Sequence, residues 1–263
     1  MNFDDALKTY LPRVWFRLQF LKYKHRGRGE AELHLVRHLI EPGSTALDIG
    51  SSIGIYAAEM ARHAARVIAF EANPGVAAFT ARAAPRNVEV VNIALSSAPG
   101  RAMLRIPVNA KGRGVSELAT IDSGNPLHGG DATSVDVEMK RLDDLAITHC
   151  SFIKIDVEGH EEAVLDGGAG LIAAQRPVLM IELDETINKG SLARTAQRLA
   201  AQNYRGLFLS RGTMHRLADF DAAKHQDPSL LRYTRKTLPA DLEYINNFVF
   251  LPEEKAAPIL ARL

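Results

Sequence analysis

Short runs of apolar residues alternate along the chain with segments in which apolar residues recur every three or four positions. The runs are bounded by Gly, Pro, Asn or Asp, which is typical of buried strands, whereas the longer spacing is typical of helices. Strands are predicted at 45–49, 66–71, 88–92, 152–156, 177–182, 206–209 and 248–251, and helices at 53–65, from Pro74, from about 160 and at 191–202. Strands separated by helices predict an α/β fold with a doubly wound, mostly parallel sheet.

No convincing helical pattern separates the last two predicted strands, 206–209 and 248–251. Parallel neighbours need a crossover connection, which is usually a helix. We therefore expect one of these two strands to run antiparallel to the rest of the sheet.

A segment of different character separates the third and fourth predicted strands. Residues 102–106 and 134–139 alternate apolar and polar side chains, which predicts a β-hairpin. The insertion at 107–133 between them is rich in Gly, Ser and Asn. Polar loops of this length are usually functional or disordered, and this one leaves the sheet near the carboxyl ends of the strands. We expect it to form a lid over a substrate.

The first thirty residues combine helical apolar spacing with an excess of basic side chains. The apolar positions are Leu7, Leu11, Val14, Leu18 and Leu21. Their spacing of four, three, four and three predicts one face of a helix, which Trp15, Phe16 and Phe20 would widen. Seven basic residues and no acidic ones lie between Lys8 and Arg28.

Two interpretations of this basic segment are open. It packs on the main domain or on a second copy in a homodimer, with its Lys and Arg side chains solvated. Alternatively, it makes a peripheral contact with an anionic membrane surface through residues 8–28, as basic amphipathic helices with aromatic residues do. In both cases residues 1–29 are expected to form a helical extension before a domain at 30–263.

Composition narrows the class of protein. The chain has 263 residues, 46% of them hydrophobic, and a formal net charge of +1. The low charge argues against a nucleic-acid partner, and the ordinary apolar content argues against disorder. The single cysteine, Cys150, excludes an intrachain disulfide and a cysteine-based zinc cluster. Because there is no long apolar run and no signal-peptide core, a cytoplasmic protein is expected.

The first two predicted strands end in residues that suit a nucleoside ligand. Residues 48–54 read Asp-Ile-Gly-Ser-Ser-Ile-Gly and enter a helix at the sheet edge where doubly wound folds bind ligands. Gly50 lets the backbone approach a ligand closely, and the helix N-terminus attracts an anionic group. Glu71 ends the second strand, where a carboxylate can accept hydrogen bonds from ribose hydroxyls.

The kind of nucleoside follows from what this motif lacks. Ser52 and Ile55 stand where the dinucleotide fingerprint G-x-G-x-x-G requires glycines, and Asp48 puts a carboxylate where a pyrophosphate would lie. S-adenosylmethionine has no phosphate. It carries a sulfonium and an ammonium, which suit Asp48, and a carboxylate, which suits the helix N-terminus. S-adenosylmethionine is therefore favoured over NAD.

Ionisable residues follow the fourth and fifth predicted strands. Lys154, Asp156 and Glu158 alternate, so they would share a face if the strand continued that far. Ionisable groups at a strand end beside a cofactor crevice are candidates for catalysis, although a solvated ion-pair network is the structural alternative. His160 begins the next helix, as either a capping residue or a base. Glu182 ends the fifth strand at the same edge.

Further motifs point to one family. The segments 48–54, 67–74, 90–96, 114–118, 141–145 and 153–159 resemble the successive motifs of the FkbM family of S-adenosylmethionine-dependent methyltransferases. The last of them, Ile-Lys-Ile-Asp-Val-Glu-Gly, is the most specific. The resemblance covers roughly residues 30–252 and implies the Rossmann-like, seven-stranded fold of class I methyltransferases. The family usually has Ala-Asn where this chain has Ser51 and Ser52, and serine keeps a small polar side chain.

The resemblance also implies roles for individual residues. The implied cofactor-binding residues are Asp48, Gly50, Ser51, Ser52, Gly54, Glu71, Asn73, Asn92, Ile93 and Asp156. Asp48 and Gly50 would contact the methionine end of the cofactor, and Glu71 would contact its ribose. Asn92 and Ile93 would lie on the adenine side.

Family members that have been characterised generally O-methylate sugar hydroxyls in natural products or glycans, so a small-molecule or glycan acceptor is implied. A sugar hydroxyl ionises far above pH 7, so a general base is expected to take its proton. The candidate catalytic residues are Lys154, Asp156, Glu158 and His160.

Several alternatives stay open. A divalent metal held by Asp156, Glu158 and Glu182 could lower the pKa of the hydroxyl, although base catalysis without a metal is favoured. The acceptor could be something other than a sugar. A protein that binds the cofactor without catalysis is the alternative from another functional class.

Overall fold

A computed structural model of the protein describes residues 3–25, 30–108, 114–115, 118–122, 125, 131–232, 239 and 242–263. The strands in these ranges are β1 (Thr45–Ile49), β2 (Arg66–Phe70), β3 (Val88–Val91), β4 (Ala94–Leu95), β5 (Gly100–Pro107), β6 (Ala132–Lys140), β7 (Cys150–Ile155), β8 (Val178–Glu182), β9 (Tyr204–Ser210), β10 (Thr213–Arg216) and β11 (Asn247–Pro252). The α-helices are α1 (Phe3–Tyr10), α2 (Pro12–His25), α3 (Val36–Leu39), α4 (Ile55–Met60), α5 (Pro74–Ala83), α6 (Glu161–Gly167), α7 (Ala169–Gln175), α8 (Ser191–Ala200), α9 (Ala222–His225) and α10 (Glu253–Leu260). Short 3-10 helices cover Ala31–His34, Leu142–Leu145, Leu217–Asp219 and Pro228–Arg232.

The main sheet has the strand order β10-β9-β11-β8-β7-β1-β2-β3. Strands β3, β2, β1, β7 and β8 are parallel neighbours, whereas β11 runs antiparallel to both β8 and β9. The prediction of a doubly wound, mostly parallel sheet is confirmed, and β11 is the antiparallel one of the last two predicted strands. Strand β10 also runs antiparallel to its neighbour β9. The predicted count of seven strands is one too low, because β10 was missed. Its four residues are largely exposed and form no apolar run.

Both faces of the main sheet are covered, as the alternation along β7 illustrates. Ile153 and Ile155 pack with residues of α6, α7 and α8 on one face. Phe152 packs on the other face with residues of α3, α4 and α10. Strands buried on both sides read as continuous apolar runs, which is why the sequence pattern located them. Helix α4 is shorter than the predicted 53–65, since the chain turns after Met60 toward β2.

The predicted β-hairpin is confirmed and belongs to a second sheet. Strands β5 and β6 pair antiparallel from Gly100 opposite Met139 to Pro107 opposite Ala132. Strand β4 adds to β6, so this sheet has the order β4-β6-β5. Most of the insertion at 107–133 lies outside the described residues, so its assignment as a lid stays a prediction.

The N-terminal segment forms two helices, α1 and α2, rather than the one that the spacing suggests. Trp15 and Phe16 are buried against Ala58 of α4 and Ala83 of α5. The prediction that the aromatic residues widen the leucine face is wrong, because Leu11, Val14, Leu18 and Leu21 are exposed, whereas Leu7 packs with Trp15 and Phe16. At the end of α2, Lys24 Nζ lies 2.6 Å from Glu59 Oε2. Residues 26–29 lie outside the described residues.

No helix in the described part of the chain is both long enough and apolar enough to cross a membrane.

Gly167 allows α6 to pack tightly against the turn after β4. A Cβ atom at this position would overlap the carbonyl oxygen of Ser96. We expect Gly167→Ala to force the two segments apart and to lower the free energy of unfolding by about 2 kcal/mol, within the range for overpacking. Urea denaturation followed by circular dichroism measures this change.

Gly43→Ala is the matched control, because an added Cβ there has no other atom within 4 Å. The Gly43→Ala variant should lose only about 1 kcal/mol of the free energy of unfolding, because alanine is disfavoured in the left-handed backbone conformation of this residue, with φ of 81°. An unfolding midpoint for Gly167→Ala equal to or above that of Gly43→Ala contradicts the packing argument.

Candidate functional site

A cavity of about 410 Å³ opens where β1, β2, β7 and β8 end. Strands β2 and β7 pair with β1 on its two opposite sides, so the order of the strands reverses at β1. Ligands bind at this position in open α/β sheets. The sequence-predicted residues that line it are Asp48, Gly50, Ser51, Ser52, Glu71, Ile93, Lys154, Asp156, Glu158, His160 and Glu182. Three predicted cofactor-binding residues, Gly54, Asn73 and Asn92, are not among the lining residues.

Gly50 brings two turns of the cavity wall into contact. Its φ is 81°, and a Cβ atom on it would overlap the carbonyl oxygen of Asp156. Its N–H donates to the carbonyl oxygen of Phe70. The expectation from the sequence is that Gly50 lets a ligand approach the backbone closely. In the structure, the backbone that approaches closely is that of Asp156.

Asp48 fixes α4 against β1. Its Oδ2 accepts a hydrogen bond of 2.8 Å from the N–H of Ala57, and burial raises its pKa to about 7. The prediction of an open helix N-terminus that attracts an anion needs correction, since α4 spans only Ile55–Met60 and one of its first amides is already bonded to Asp48.

Glu71 bridges the turns that follow β1 and β2. Its two carboxylate oxygens accept hydrogen bonds of 2.8 Å, one from the N–H of Ser52 and one from the N–H of Asn73. Burial raises its pKa. The side chain of Asn73 caps α5 through the N–H of Gly75, and Asn92 Nδ2 donates to the carbonyl oxygen of Glu71. Asn73 and Asn92 therefore shape the turn around Glu71.

Two further residues of the first turn bear on cofactor binding. Gly54 precedes α4 with φ of 85°, and a Cβ atom on it would press on Thr80. Ser51 Oγ is buried at the cavity wall and has no hydrogen-bond partner among the described residues. Because an unpaired buried hydroxyl costs free energy, a polar ligand atom in the cavity would be stabilising there. The lining fits the polar groups of S-adenosylmethionine in this respect.

Lys154 is the most deeply buried charge at the site. Only 1% of the residue is exposed, and its Nζ lies 2.8 Å from Asp156 Oδ2 and 4.7 Å from the ring centroid of Tyr56. Burial alone would lower the pKa of Lys154, but the negative charges of Asp156 and Glu30 outweigh it and raise that pKa. Lys154 is therefore protonated.

The pKa values of Asp156 and Glu182 move in opposite directions. Burial alone would raise the pKa of Asp156, but Lys154 and a hydrogen bond from Glu182 outweigh it and hold that pKa below its ordinary value. Burial and the charge of Asp156 raise the pKa of Glu182 well above its ordinary value. Asp156 is ionised at neutral pH, and Glu182 is protonated and donates to it.

The sequence patterns missed the residues that surround this network from distant parts of the chain. The hydroxyl of Tyr56 donates to Glu30 Oε2 at 2.7 Å, and Asn247 Nδ2 donates to the same oxygen at 3.2 Å. Asn246 Nδ2 donates to Glu182 Oε1. Glu30 and Tyr56 also line the cavity. Pattern reasoning had no signal for these partners, because each is a single polar residue outside any motif.

Glu158 lies in a backbone conformation that a strand cannot have. Strand β7 ends at Ile155, and Glu158 has φ of 52°, so the expectation that Lys154, Asp156 and Glu158 share a strand face is wrong. All three nevertheless line the cavity. Burial and the charge of Asp156 raise the pKa of Glu158 to about 9, so that it is protonated at neutral pH.

Two residues of the insertion at 107–133 donate hydrogen bonds to the backbone of Glu158. The carbonyl oxygen of Glu158 accepts hydrogen bonds of 2.8 Å from Thr120 Oγ1 and from Asn125 Nδ2. Both donors are buried. The described part of the insertion therefore contacts the loop that carries the candidate catalytic residues.

His160 faces the cavity as a neutral imidazole. Its Nε2 lies 2.9 Å from Ser96 Oγ, and burial lowers its pKa below the ordinary value. It is the N-cap residue of α6, but its side chain makes no capping hydrogen bond. The interpretation of His160 as a side-chain cap is therefore wrong, and its role as a base stays a prediction.

The described residues provide no group of ligands for the divalent metal considered above. Among the described residues, which include Asp156, Glu158 and Glu182, no three His, Cys, Asp or Glu side chains are grouped so that they could hold a metal ion.

Comparison with known proteins gives one family. Residues 48–206 match the family described as "Methyltransferase FkbM domain". No curated protein matches the chain. The solved structure of methyltransferase FkbM from Methylobacillus flagellatus is 14% identical, with a TM-score of 0.46. That match covers 94% of this chain, which spans only 60% of the length of that relative.

Other solved structures show the same level of similarity. A SAM dependent methyltransferase from Aquifex aeolicus is 14% identical with a TM-score of 0.41, and 89% of this chain and 95% of that chain are covered. A TehB-like SAM-dependent methyltransferase from Corynebacterium glutamicum is 12% identical with a TM-score of 0.40. That match covers 90% of this chain and 94% of that chain.

The raised pKa of Glu158 predicts a pH-dependent cost in stability. Glutamate ionises near pH 4.5 in the unfolded chain and near pH 9 in the folded one, so a rise in pH between these values favours unfolding. Glu158→Gln removes this titration. We expect the variant to match the wild type near pH 4 and to be more stable near pH 8 by at least about 1.4 kcal/mol, the value of one pKa unit.

Urea unfolding at the two pH values measures the difference. Glu138→Gln is the control, because half of the Glu138 side chain is exposed on β6. A stability gain for Glu158→Gln that does not change between the two pH values contradicts the assignment of a protonated Glu158.

Proposed function

The chain belongs to the FkbM family of S-adenosylmethionine-dependent methyltransferases, and we propose that it methylates a sugar hydroxyl with His160 as the general base. One observation carries this proposal. The neutral imidazole of His160 lines the same cavity as the ionised carboxylate of Asp156 and the turn at Gly50. A cofactor site and a base are thus adjacent.

Different residues of the cavity lining are assigned to different parts of the cofactor. Gly50, Ser51 and Ser52 are assigned to the methionine part, Glu71 to the ribose and Ile93 to the adenine. S-adenosylmethionine, when bound, supplies a methyl group on a positively charged sulfonium. The Ser51 hydroxyl, which has no partner among the described residues, would gain one from the cofactor.

Asp156 provides a fixed negative charge in the cavity. Lys154 and the protonated Glu182 keep it ionised and oriented, so no rearrangement is needed when a cation binds. Its charge attracts the cationic methionine part of the cofactor, and its carboxylate can accept a hydrogen bond from an acceptor hydroxyl. Alignment of reacting atoms is the largest contribution to be expected in a methyl transfer.

The pKa values select His160 among the candidate bases. Glu158 is protonated at neutral pH and has no capacity to take a proton. Asp156 has a lowered pKa and is therefore a weak base. His160 is neutral, because burial lowers its pKa, and a neutral imidazole can take a proton. Ser96 holds its ring through Nε2, and we assign the acceptor proton to Nδ1.

His160→Gln tests the base. Glutamine keeps a hydrogen-bonding group near Ser96 but cannot take the proton, so we expect turnover to fall roughly 10²–10⁴-fold, the usual contribution of a general base. Binding of S-adenosylmethionine, measured by calorimetry, should stay near the wild-type value. In the wild type, kcat/KM should fall as the pH drops below the pKa of His160, and this fall should be absent in the variant.

Ser96→Ala is the matched control. It keeps the base and removes the group that holds its ring, so its loss of turnover should be smaller and its acid limb should remain. Wild-type turnover in His160→Gln would show that another group takes the proton.

Chelation separates the base mechanism from the metal alternative. Because the described residues offer no metal-ligand group, we expect turnover to be unchanged after dialysis against EDTA. A loss of turnover that Mg²⁺ restores would favour a metal held by Asp156, Glu158 and Glu182 instead.

Transfer of labelled methyl groups to cell fractions tests the class of acceptor. The purified protein is incubated with labelled S-adenosylmethionine and with carbohydrate, lipid, protein and small-molecule fractions of the source cell. Label in carbohydrate supports the sugar assignment, and label only in other fractions shows an acceptor of another class. Label in none supports the alternative of a cofactor-binding protein without catalysis.

A further inference from the structure

Helix α2 is apolar on two opposite faces, and the domain covers only one of them. Trp15 and Phe16 pack inward, and Trp15 meets the ring of Phe79 edge-on at 5.4 Å. The outward side chains Leu11, Val14, Leu18 and Leu21 are 54%, 46%, 44% and 50% exposed. A helix that is apolar all round is normally buried on every side.

Exposed apolar side chains are concentrated on this helix. Nine large hydrophobic side chains are exposed in the described part of the chain, and five of them lie between positions 10 and 21. The fifth is Tyr10, which stands at the junction of α1 and α2 and is 71% exposed. Singly scattered exposed hydrophobics need no explanation, but a contiguous stripe marks an interaction surface. We call the stripe of Val14, Leu18 and Leu21, together with Leu11 directly before the helix, the outer face of α2.

Basic side chains border the outer face on both sides. Successive residues of a helix rotate by about 100°, so Arg13 and Arg17 lie along one edge of the stripe and Lys22 along the other. No acidic residue occurs between positions 6 and 29. Lys24 is paired with Glu59, and Lys8 lies over the rings of Trp15 and Phe79, so these two lysines are engaged with the domain.

The charge pattern decides between the two occupants that an apolar stripe suggests. A second copy of the chain on a two-fold axis would bring the same basic rows together, and like charges across an interface oppose association. An anionic lipid surface attracts them, and apolar side chains between basic ones enter the boundary of headgroups and acyl chains. We propose that the outer face of α2 docks the protein on an anionic lipid bilayer.

The docking face and the cavity share one helix. Tyr23, two residues beyond Leu21, lines the cavity. Because two residues of a helix rotate by about 200°, Tyr23 lies on the side of α2 that faces the domain, opposite Leu21. Docking through the outer face would thus leave the cavity on the other side of α2, and the docking proposal does not rest on the proposed function.

Vesicle sedimentation of the full chain tests the docking. We expect the wild type to sediment with vesicles of phosphatidylcholine and phosphatidylglycerol, to stay in solution with phosphatidylcholine alone, and to be released by salt. Val14→Ser/Leu18→Ser/Leu21→Ser should lower the partition coefficient by at least about tenfold. Arg13→Gln/Arg17→Gln/Lys22→Gln should lower it roughly hundredfold.

Matched controls distinguish docking from unfolding. Met103→Ser removes a side chain that is 55% exposed on β5 and should leave partition unchanged. Trp15 is the only tryptophan of the chain, so its emission reports whether α2 stays packed on the domain. Unchanged emission is expected in both triple variants, because the replaced side chains point outward.

Two results would overturn the proposal. The first is a wild type that does not bind anionic vesicles. The second is binding that survives both triple variants while Trp15 emission is unchanged. If light scattering then shows a dimer that the serine variant dissociates, the occupant is a second copy. Vesicle binding requires no turnover, so its outcome is independent of the test of methyl transfer.

Discussion

The buried ammonium of Lys154 is the constraint on which the site depends. Lys154 lies on β7, a strand that is buried on both faces of the sheet, so water does not solvate its charge. Such a charge is tolerated only where opposite charges and hydrogen bonds replace the lost solvation. Asp156 supplies the direct ion pair, Glu30 adds negative charge, and the ring of Tyr56 lies beneath the ammonium.

This arrangement gives neighbouring carboxyl groups different protonation states. Asp156 can be ionised because Lys154 is beside it, and its negative charge in turn keeps Glu182 and Glu158 protonated. Environments that push pKa values apart allow similar side chains to take different roles. The acidic cluster thus has one ionised member, Asp156, and two protonated ones, of which Glu182 donates a hydrogen bond to Asp156. His160 lies outside the ion pair and stays neutral.

The sequence predicted much of the sheet and the strand-end motifs, because buried parallel strands are continuous apolar runs and the motifs are local. Periodicity failed at α2, since it shows which side chains share a face but not which face the domain covers. Strand β10 was missed because it is an exposed edge strand of four residues. Glu30 and Tyr56 were missed because their contacts with Lys154 and Asn247 join positions far apart in the chain.

The reach of the Lys154 network has a consequence for how far the chain can be trimmed. The segment that matches the family begins at residue 48 and ends at 206, yet Glu30 precedes it, and Asn246 and Asn247 follow it. A truncated protein limited to 48–206 would keep every motif and would still lose part of the charge balance around the buried lysine. The smallest piece able to fold around this site is therefore longer than its recognisable core, and it needs both flanks of the chain.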